Sequence, residues 1–360
     1  MNKYKKALVV ACVFLTVGLA GSIITGIRMI PKITSEIYRI QREVVNAEPI
    51  EKEKYASEEV VENLDISAIE NGNLDVEIKK SDDSYTRIKV YEYLEDIQVK
   101  TTYNADTKTL VVDGYRQKMD FLNETSIKKF FEKGYETLIY SLADSHHDSS
   151  QIVIEVPAGV NITFKGEYNT NLKIKDTVVL KDSLDYVTKY GYVNLPHYNT
   201  LKDINIRSNS HVNMDVREFI NAEKVSIKGQ DIDIDSNGYT EDYEKIEKLP
   251  SVVSISANYI DITSFIPLGT DVDLAGNNIE YNSNFNDYSL NLKLMGLRNG
   301  SAYYDDEDPN GRLLDRRDLG SNYEGIIGDN SNKEYKLTIS DYDYLNINNI
   351  SLRELENRVR

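Results

Sequence analysis

The 360-residue chain sets 42 Lys and Arg against 59 Asp and Glu, a formal net charge of −17. So acidic a surface repels nucleic acid and excludes that class of partner. Hydrophobic residues at 40% and charged residues at 28% describe a globular chain, not a disordered one. The one cysteine, Cys12, sits near the start, so no disulfide staples the folded part.

Residues 7–27 contain no charge. A helix of that length crosses the hydrocarbon core of a bilayer. Lys3, Lys5 and Lys6 precede it, and Arg28 and Lys32 follow. A cleaved signal peptide would end near Ala20, but Ile23, Ile24 and Ile27 continue the apolar run past that point. Val9-Val10-Ala11-Cys12 has the form of a lipoprotein box, yet the apolar stretch before Cys12 is too short. Residues 1–32 are therefore expected to be a short cytoplasmic tail and an uncleaved single-pass anchor in the cell membrane. Basic residues are nearly balanced across the span, with Arg39 and Arg42 added on the far side. The tight N-terminal trio and the acidic remainder favour a cytoplasmic N-terminus and an extracellular body.

Residues 33–63 read as a stalk. Ile33, Ile37, Ile40 and Val44 recur at helical spacing, and Pro49 and the run Glu51-Lys-Glu-Lys54 interrupt them. A solvated spacer, helical or partly disordered, is the expectation. From Leu64 the pattern becomes strand-like. Leu64-Asp-Ile66, Leu74-Asp-Val76-Glu-Ile78, Ile88-Lys-Val90, Ile97-Gln-Val99 and Leu110-Val-Val112 alternate between turn-forming stretches such as Asn71-Gly72 and Asp113-Gly114. Residues 119–143 break the alternation. Phe121, Leu122, Ile127, Phe130, Phe131, Tyr135, Leu138, Ile139 and Leu142 fall on one stripe of an amphipathic helix, which would cap or cover the strands.

The clearest internal order is a repeat. Residues 225–236 (VSIKGQDIDIDS), 253–264 (VSISANYIDITS) and 272–283 (VDLAGNNIEYNS) superimpose without a gap. Each has two alternating runs, a small residue and a polar pair at the bend, and a terminal Ser. Related units start at 162, 204 and 290, so one unit takes about 20 residues and its neighbours would stack at ~4.8 Å. A longer interval accommodates a polar insertion at 238–248. Such a unit cannot bury its apolar face alone. The pattern predicts an all-β chain whose residues 64–296 form a parallel β-solenoid with the helix at 119–143 inserted. A two-sheet antiparallel sandwich is the alternative. Residues 297–360, with late strands at Leu337-Thr-Ile339 and Leu345-Asn-Ile347, read as a C-terminal cap.

The order of Ile66-Ser-Ala-Ile69-Glu-Asn-Gly72-Asn-Leu74, Asp82-Asp83, Ile88-Lys-Val90, Val156-Pro157-Ala-Gly159 and the small-residue repeats resembles the bacterial putative adhesin family, a domain of unknown function. The resemblance covers about residues 60–295 and implies a right-handed parallel β-helix. It also implies surface binding or envelope sensing, and it brings no catalytic residues or cofactor. The helix at 119–143 departs from the family pattern.

Few residues suggest chemistry. Asp306, Asp308, Asn310 and Gly311 have the spacing of a calcium loop, but its twelfth position is Arg317 in place of a bidentate Glu. A merely acidic turn competes with calcium there. Asp231, Asp233 and Asp235 alternate with Ile232 and Ile234 and so share one strand face. They are either a solvated face or an acid–base group for a polysaccharide. His146-His147-Asp148 lies in a polar loop where adjacent histidines do not share a face. No phosphate loop or nucleophile elbow occurs. The 26 Tyr, with abundant Asn, could bind glycans by stacking and amide hydrogen bonds. The resulting expectation is a non-catalytic, membrane-anchored surface protein that binds an envelope polysaccharide or protein. An envelope-stress sensor acting through a membrane partner and a carbohydrate-active β-helix enzyme are the alternatives.

Overall fold

A computed structural model describes residues 39, 42–69, 74–93, 96–116, 151–166, 170–236, 248–285, 288–295, 301–307, 313–320, 322–328 and 334–350. The chain divides into two units, Met1–Pro49 with Asp120–Asp148, and Ile50–Met119 with Ser149–Arg360. In the first, a helical turn over residues 42–45 is followed by Asn46, whose N–H donates to the Arg42 carbonyl at 3.0 Å. The expected span at 7–27, the helix at 119–143 and the loop at His146 to Asp148 lie outside the described residues. Among the described residues no helix is long and apolar enough to cross a membrane.

The second unit is all-β among its described residues, apart from a 3-10 turn. Its first strands are β1 (Ile50–Ser57), β2 (Asn63–Ile69), β3 (Leu74–Lys80), β4 (Thr86–Glu92), β5 (Ile97–Asn104) and β6 (Thr109–Arg116). Then come β7 (Gln151–Val156), β8 (Val160–Gly166), β9 (Thr170–Ile174), β10 (Leu180–Thr188), β11 (Val193–Asn194), β12 (Asp203–Ser208) and β13 (His211–Asp215). After the 3-10 turn Val216–Glu218 follow β14 (Lys224–Lys228), β15 (Asp231–Asp235), β16 (Val252–Ser264), β17 (Asp271–Ser283) and β18 (Ser289–Met295). The last are β19 (Ser301–Glu307), β20 (Leu313–Asp318), β21 (Glu324–Ile327), β22 (Glu334–Ser340) and β23 (Tyr344–Asn349). Ile50–Ser57, expected within the spacer, is thus a strand, and it pairs antiparallel with β4.

Three ladders organise these strands. A long ladder runs β5-β6-β2-β8-β10-β12-β14-β16-β17-β22-β18-β21, parallel except at its two ends. A short ladder runs β13-β15-β16-β17-β23-β19-β20, antiparallel only at its last pair. A third sheet runs β1-β4-β7-β3-β9-β11. β16 and β17 pass through both ladders, and neither ladder returns to its first strand. Parallel pairing of the repeat segments rules out the antiparallel sandwich for them.

The core follows from the alternation. In the long ladder Ile66, Phe164, Tyr186, Ile206, Ile227, Ile255, Leu274, Ile339 and Leu294 occupy one column, each in register with the next and each buried. Ile234, Ile262, Tyr281 and Ile347 do the same in the short ladder. Each such side chain contributes roughly 1.5–3 kcal/mol when fully withdrawn from water. The aligned repeats pair residue for residue, as in Val225↔Val253↔Val272 and Ile232↔Ile260↔Ile279. The bend residue must be small because a Cβ on Gly276 would lie 2.6 Å from the Ala257 carbonyl oxygen. The terminal serines also stack: Ser283 Oγ donates to the Ser264 carbonyl, and Ser236 Oγ accepts from the Phe265 amide at 3.1 Å.

Stacking order departs from chain order near the start, where β2 lies between β6 and β8 and β7 between β4 and β3, and again near the end. β22 lies between β17 and β18, and β23 between β17 and β19. The last strands of the chain therefore form an internal rung of the stack. Antiparallel strands stand at three of the four ladder ends, β5 and β21 on the long ladder and β20 on the short one, and β20 carries Asp315, Arg316, Arg317 and Asp318. Charge on an outermost strand discourages pairing with another chain.

Candidate functional site

Alternation that sends apolar residues inward sends a polar set outward on the short ladder. Asp231, Asp233 and Asp235 lie on one side of β15, opposite buried Ile232 and Ile234. Register extends this set across neighbouring strands. Asn213, Asp233, Asp261, Glu280 and Asn346 form one column; Asp215, Asp235, Thr263, Asn282, Asn348 and Asp305 form the next. Like charges directly opposite one another repel. Burial pushes the Asp233 carboxyl up, with His211 opposing the shift. The Asp235 carboxyl is pushed up to about 6, chiefly by burial and then by Asp233 and Asp215.

The second column ends in a hydrogen-bonded amide ladder. Asn282 Nδ2 donates to Thr263 Oγ1 at 3.3 Å, and Asn348 Nδ2 donates to Asn282 Oδ1. The next contact fails, because Asn348 Oδ1 and Asp305 Oδ1 are buried without a hydrogen bond. Asp305 keeps an ion pair with Arg316 at 3.6 Å.

Two clefts open beside this face, and neither is lined by Asp231, Asp233 or Asp235. The first, of about 530 Å³, follows the bend between the ladders. Its lining includes Thr188, Arg207, Asn209, Lys228, Gln230 and Asn258, contributed by four successive rungs. Arg207 and Lys228 stand opposite one another in register. The Asn258 amide donates to the Gln230 carbonyl at 2.8 Å, so the bend backbone is itself tied rung to rung.

The second cleft, of about 630 Å³, opens between the strands β11 and β13, and Tyr192, Asn194, His197, Asn213 and Arg217 line it. Glu218 closes its base. Glu218 Oε1 accepts the Leu195 amide at 2.9 Å, and Oε2 accepts the Asp215 amide at 3.0 Å. Asp215 in turn caps the 3-10 turn by accepting the Arg217 amide at 2.8 Å, completing a capping box. Burial pushes the Glu218 carboxyl up to about 7, against these two hydrogen bonds.

The calcium candidates fall at the hairpin between β19 and β20. Asp306 Oδ1 accepts from Asn349 Nδ2 at 3.0 Å. Asp308, Asn310 and Gly311 lie outside the described residues. Arg317 faces Tyr304 across the hairpin, and its Nε lies 3.2 Å from Asp315. Among the described residues no group of three or more His, Cys, Asp or Glu side chains could hold a metal ion. The bend cleft was not anticipated from the sequence. Its one signal there was phase, since Gln230 and Asn258 both occupy the sixth position of the aligned repeat.

No family model matches the chain, and no curated protein matches its sequence. Solved structures do align with it. One is a putative cell adhesion protein from Clostridium sporogenes, at 11% identity and a TM-score of 0.24, covering 84% of this chain and 100% of the other. Another is a putative adhesin from Bacteroides fragilis, at 14% identity and a TM-score of 0.39, covering 84% of this chain and 98% of the other.

Proposed function

We propose that the chain is a non-catalytic, adhesin-like surface protein, anchored in the cell membrane by residues 7–27 with its body outside. Its parallel strands are the windings of a right-handed β-helix. It binds an envelope polysaccharide or protein through the polar bend and the outer face beside it. One observation supports the reading above the others: exposed and half-buried polar side chains repeat in register along a stack whose inward columns are apolar. Rigid elements fix the spacing of such groups better than loops do. Incubating the purified full-length chain with envelope material tests the binding. Retention of the chain on sedimented envelopes is expected, and its complete recovery in the supernatant overturns the reading. Alkaline extraction of cell membranes tests the anchor; release of the chain into the soluble fraction removes it.

A carbohydrate-active enzyme is the second reading. The raised Asp235 carboxyl beside Asp233 favours it, since an acid poised near neutral pH suits proton transfer. Polysaccharide turnover abolished by Asp235→Asn would establish it, and turnover unchanged in that variant would remove it.

A further inference from the structure

We propose that the cleft along the bend binds an extended glycan bearing acidic groups, which gives the surface-binding reading above a ligand class and rests on it. Three features of the cleft converge on that chemistry. The first is pitch. Successive strands set equivalent groups ~4.8 Å apart, close to the rise of one sugar in an extended β-linked glycan. A polymer lying along the stack therefore meets the same protein groups at successive sugars. The cavity of about 530 Å³ crosses four rungs and holds such a segment, not a single ring.

The second feature is the donor set. Asn209, Gln230 and Asn258 are exposed and, among the described residues, their side-chain amides bond to no other protein group. Asparagines elsewhere on the rungs are engaged: Asn161 donates to Asn63, Asn171 to Asp75 and Asn205 to Asp185. A free amide offers a donor and an acceptor together, which matches paired sugar hydroxyls.

The third feature is charge. Arg207 and Lys228 face one another in register, an arrangement that costs stability unless an anion lies between them. Arg207 has a partner in Asp185 at 3.2 Å. Lys228 has no ion-pair partner among the described residues. In a chain of net charge −17 this pair is a local exception, and a carboxylate or phosphate on the glycan completes it.

Titration calorimetry on the purified full-length chain tests the site with four probes: β-linked oligomannuronate, a glycerol-phosphate oligomer, a neutral cello-oligosaccharide and poly-glutamate. Binding of one or both acidic polyols is expected, and which one binds identifies the acid as uronate or phosphodiester. Lys228→Gln should weaken that binding at least fivefold, and the double change Gln230→Ala, Asn258→Ala at least tenfold. All of these side chains are exposed, so melting temperatures should stay within a few degrees. Lys293→Gln, on an exposed position of β18, should leave affinity unchanged. Equal affinity for poly-glutamate, or acidic-polymer binding untouched by the cleft substitutions, overturns the proposal. Absence of binding to all four probes overturns it too. Envelope retention that persists in that last case leaves the broader surface-binding reading standing, whereas loss of both removes the two together.

Discussion

Glu218 holds Leu195 in place: its Oε1 accepts the Leu195 amide at 2.9 Å while its Oε2 accepts that of Asp215 at 3.0 Å. One carboxylate thus ties the end of β11 to the end of β13, where no strand pairing joins them. Burial holds this carboxyl at about 7, above the ordinary glutamate value of 4.5. The sign is therefore that of a raised acid. Its contribution is fully present below pH 4.5 and is lost as pH rises through 7. Glu218→Gln removes this dependence, so the variant should gain on the natural chain by roughly 3 kcal/mol between those limits. Urea denaturation of both proteins at pH 4 and pH 8 measures the difference; parallel stability curves would refute it.

Asp235 is expected to show the same sign at a different pH. Its carboxyl, at about 6, shares a column with Asp215 and lies beside Asp233. Asp235→Asn should stabilise the protein at pH 7.5 by about 1 kcal/mol, discounted for the solvent-facing side of the group. The gain should fade toward pH 4, where the natural side chain is protonated. Thermal melts across that range decide it, and a variant less stable at pH 7.5 contradicts the cost of burying this charge beside Asp233 and Asp215.

Asp305 interrupts the amide ladder. Neither its Oδ1 nor that of Asn348 has a hydrogen bond, although the two residues are in register. Asp305→Asn supplies a donor for the Asn348 oxygen. The ion pair lost to half-exposed Arg316 is worth little. The variant should match the natural protein or exceed it by about 1 kcal/mol, since an unmet buried acceptor costs ~1–3 kcal/mol. Destabilisation by more than ~1 kcal/mol would show that the ion pair outweighs the missing bond.

The bend glycines should rank by space. A Cβ at Gly276 meets backbone oxygen at 2.6 Å, whereas one at Gly229 meets its nearest neighbour at 3.1 Å. Gly276→Ala should cost about 1–3 kcal/mol and Gly229→Ala less, because overpacking against backbone cannot be relieved by a rotamer change. Chemical denaturation of the pair checks the order, and a reversed order would contradict the packing at the bend.

Much of this architecture was legible because the repeat is encoded locally. Val225, Val253 and Val272 align in sequence and pair in space, as do the small bend residues between the two runs. Ile50–Ser57 was not legible, since Glu51, Lys52, Glu53 and Lys54 mask the alternation of an edge strand. Nor was the place of Leu337 and Ile339. Their apolar spacing marks a strand, but nothing local states that it lies between β17 and β18. The bend cleft escaped for the same reason. Arg207, Lys228 and Asn258 come from different repeats and become neighbours only when the rungs stack.

Placement of β22 and β23 inside the stack also governs how the molecule can be made. Residues 289–307 emerge from the ribosome before the strands that separate them from β17 exist. Vectorial growth of this end of the stack must therefore halt after Ser283 and wait for synthesis to reach Asn349. A translation product that stops short of residue 334 keeps its earlier rungs and the antiparallel partners of β18 and β19 but lacks β22 and β23, so that β17 ends in an open parallel edge, which marks it for proteolysis.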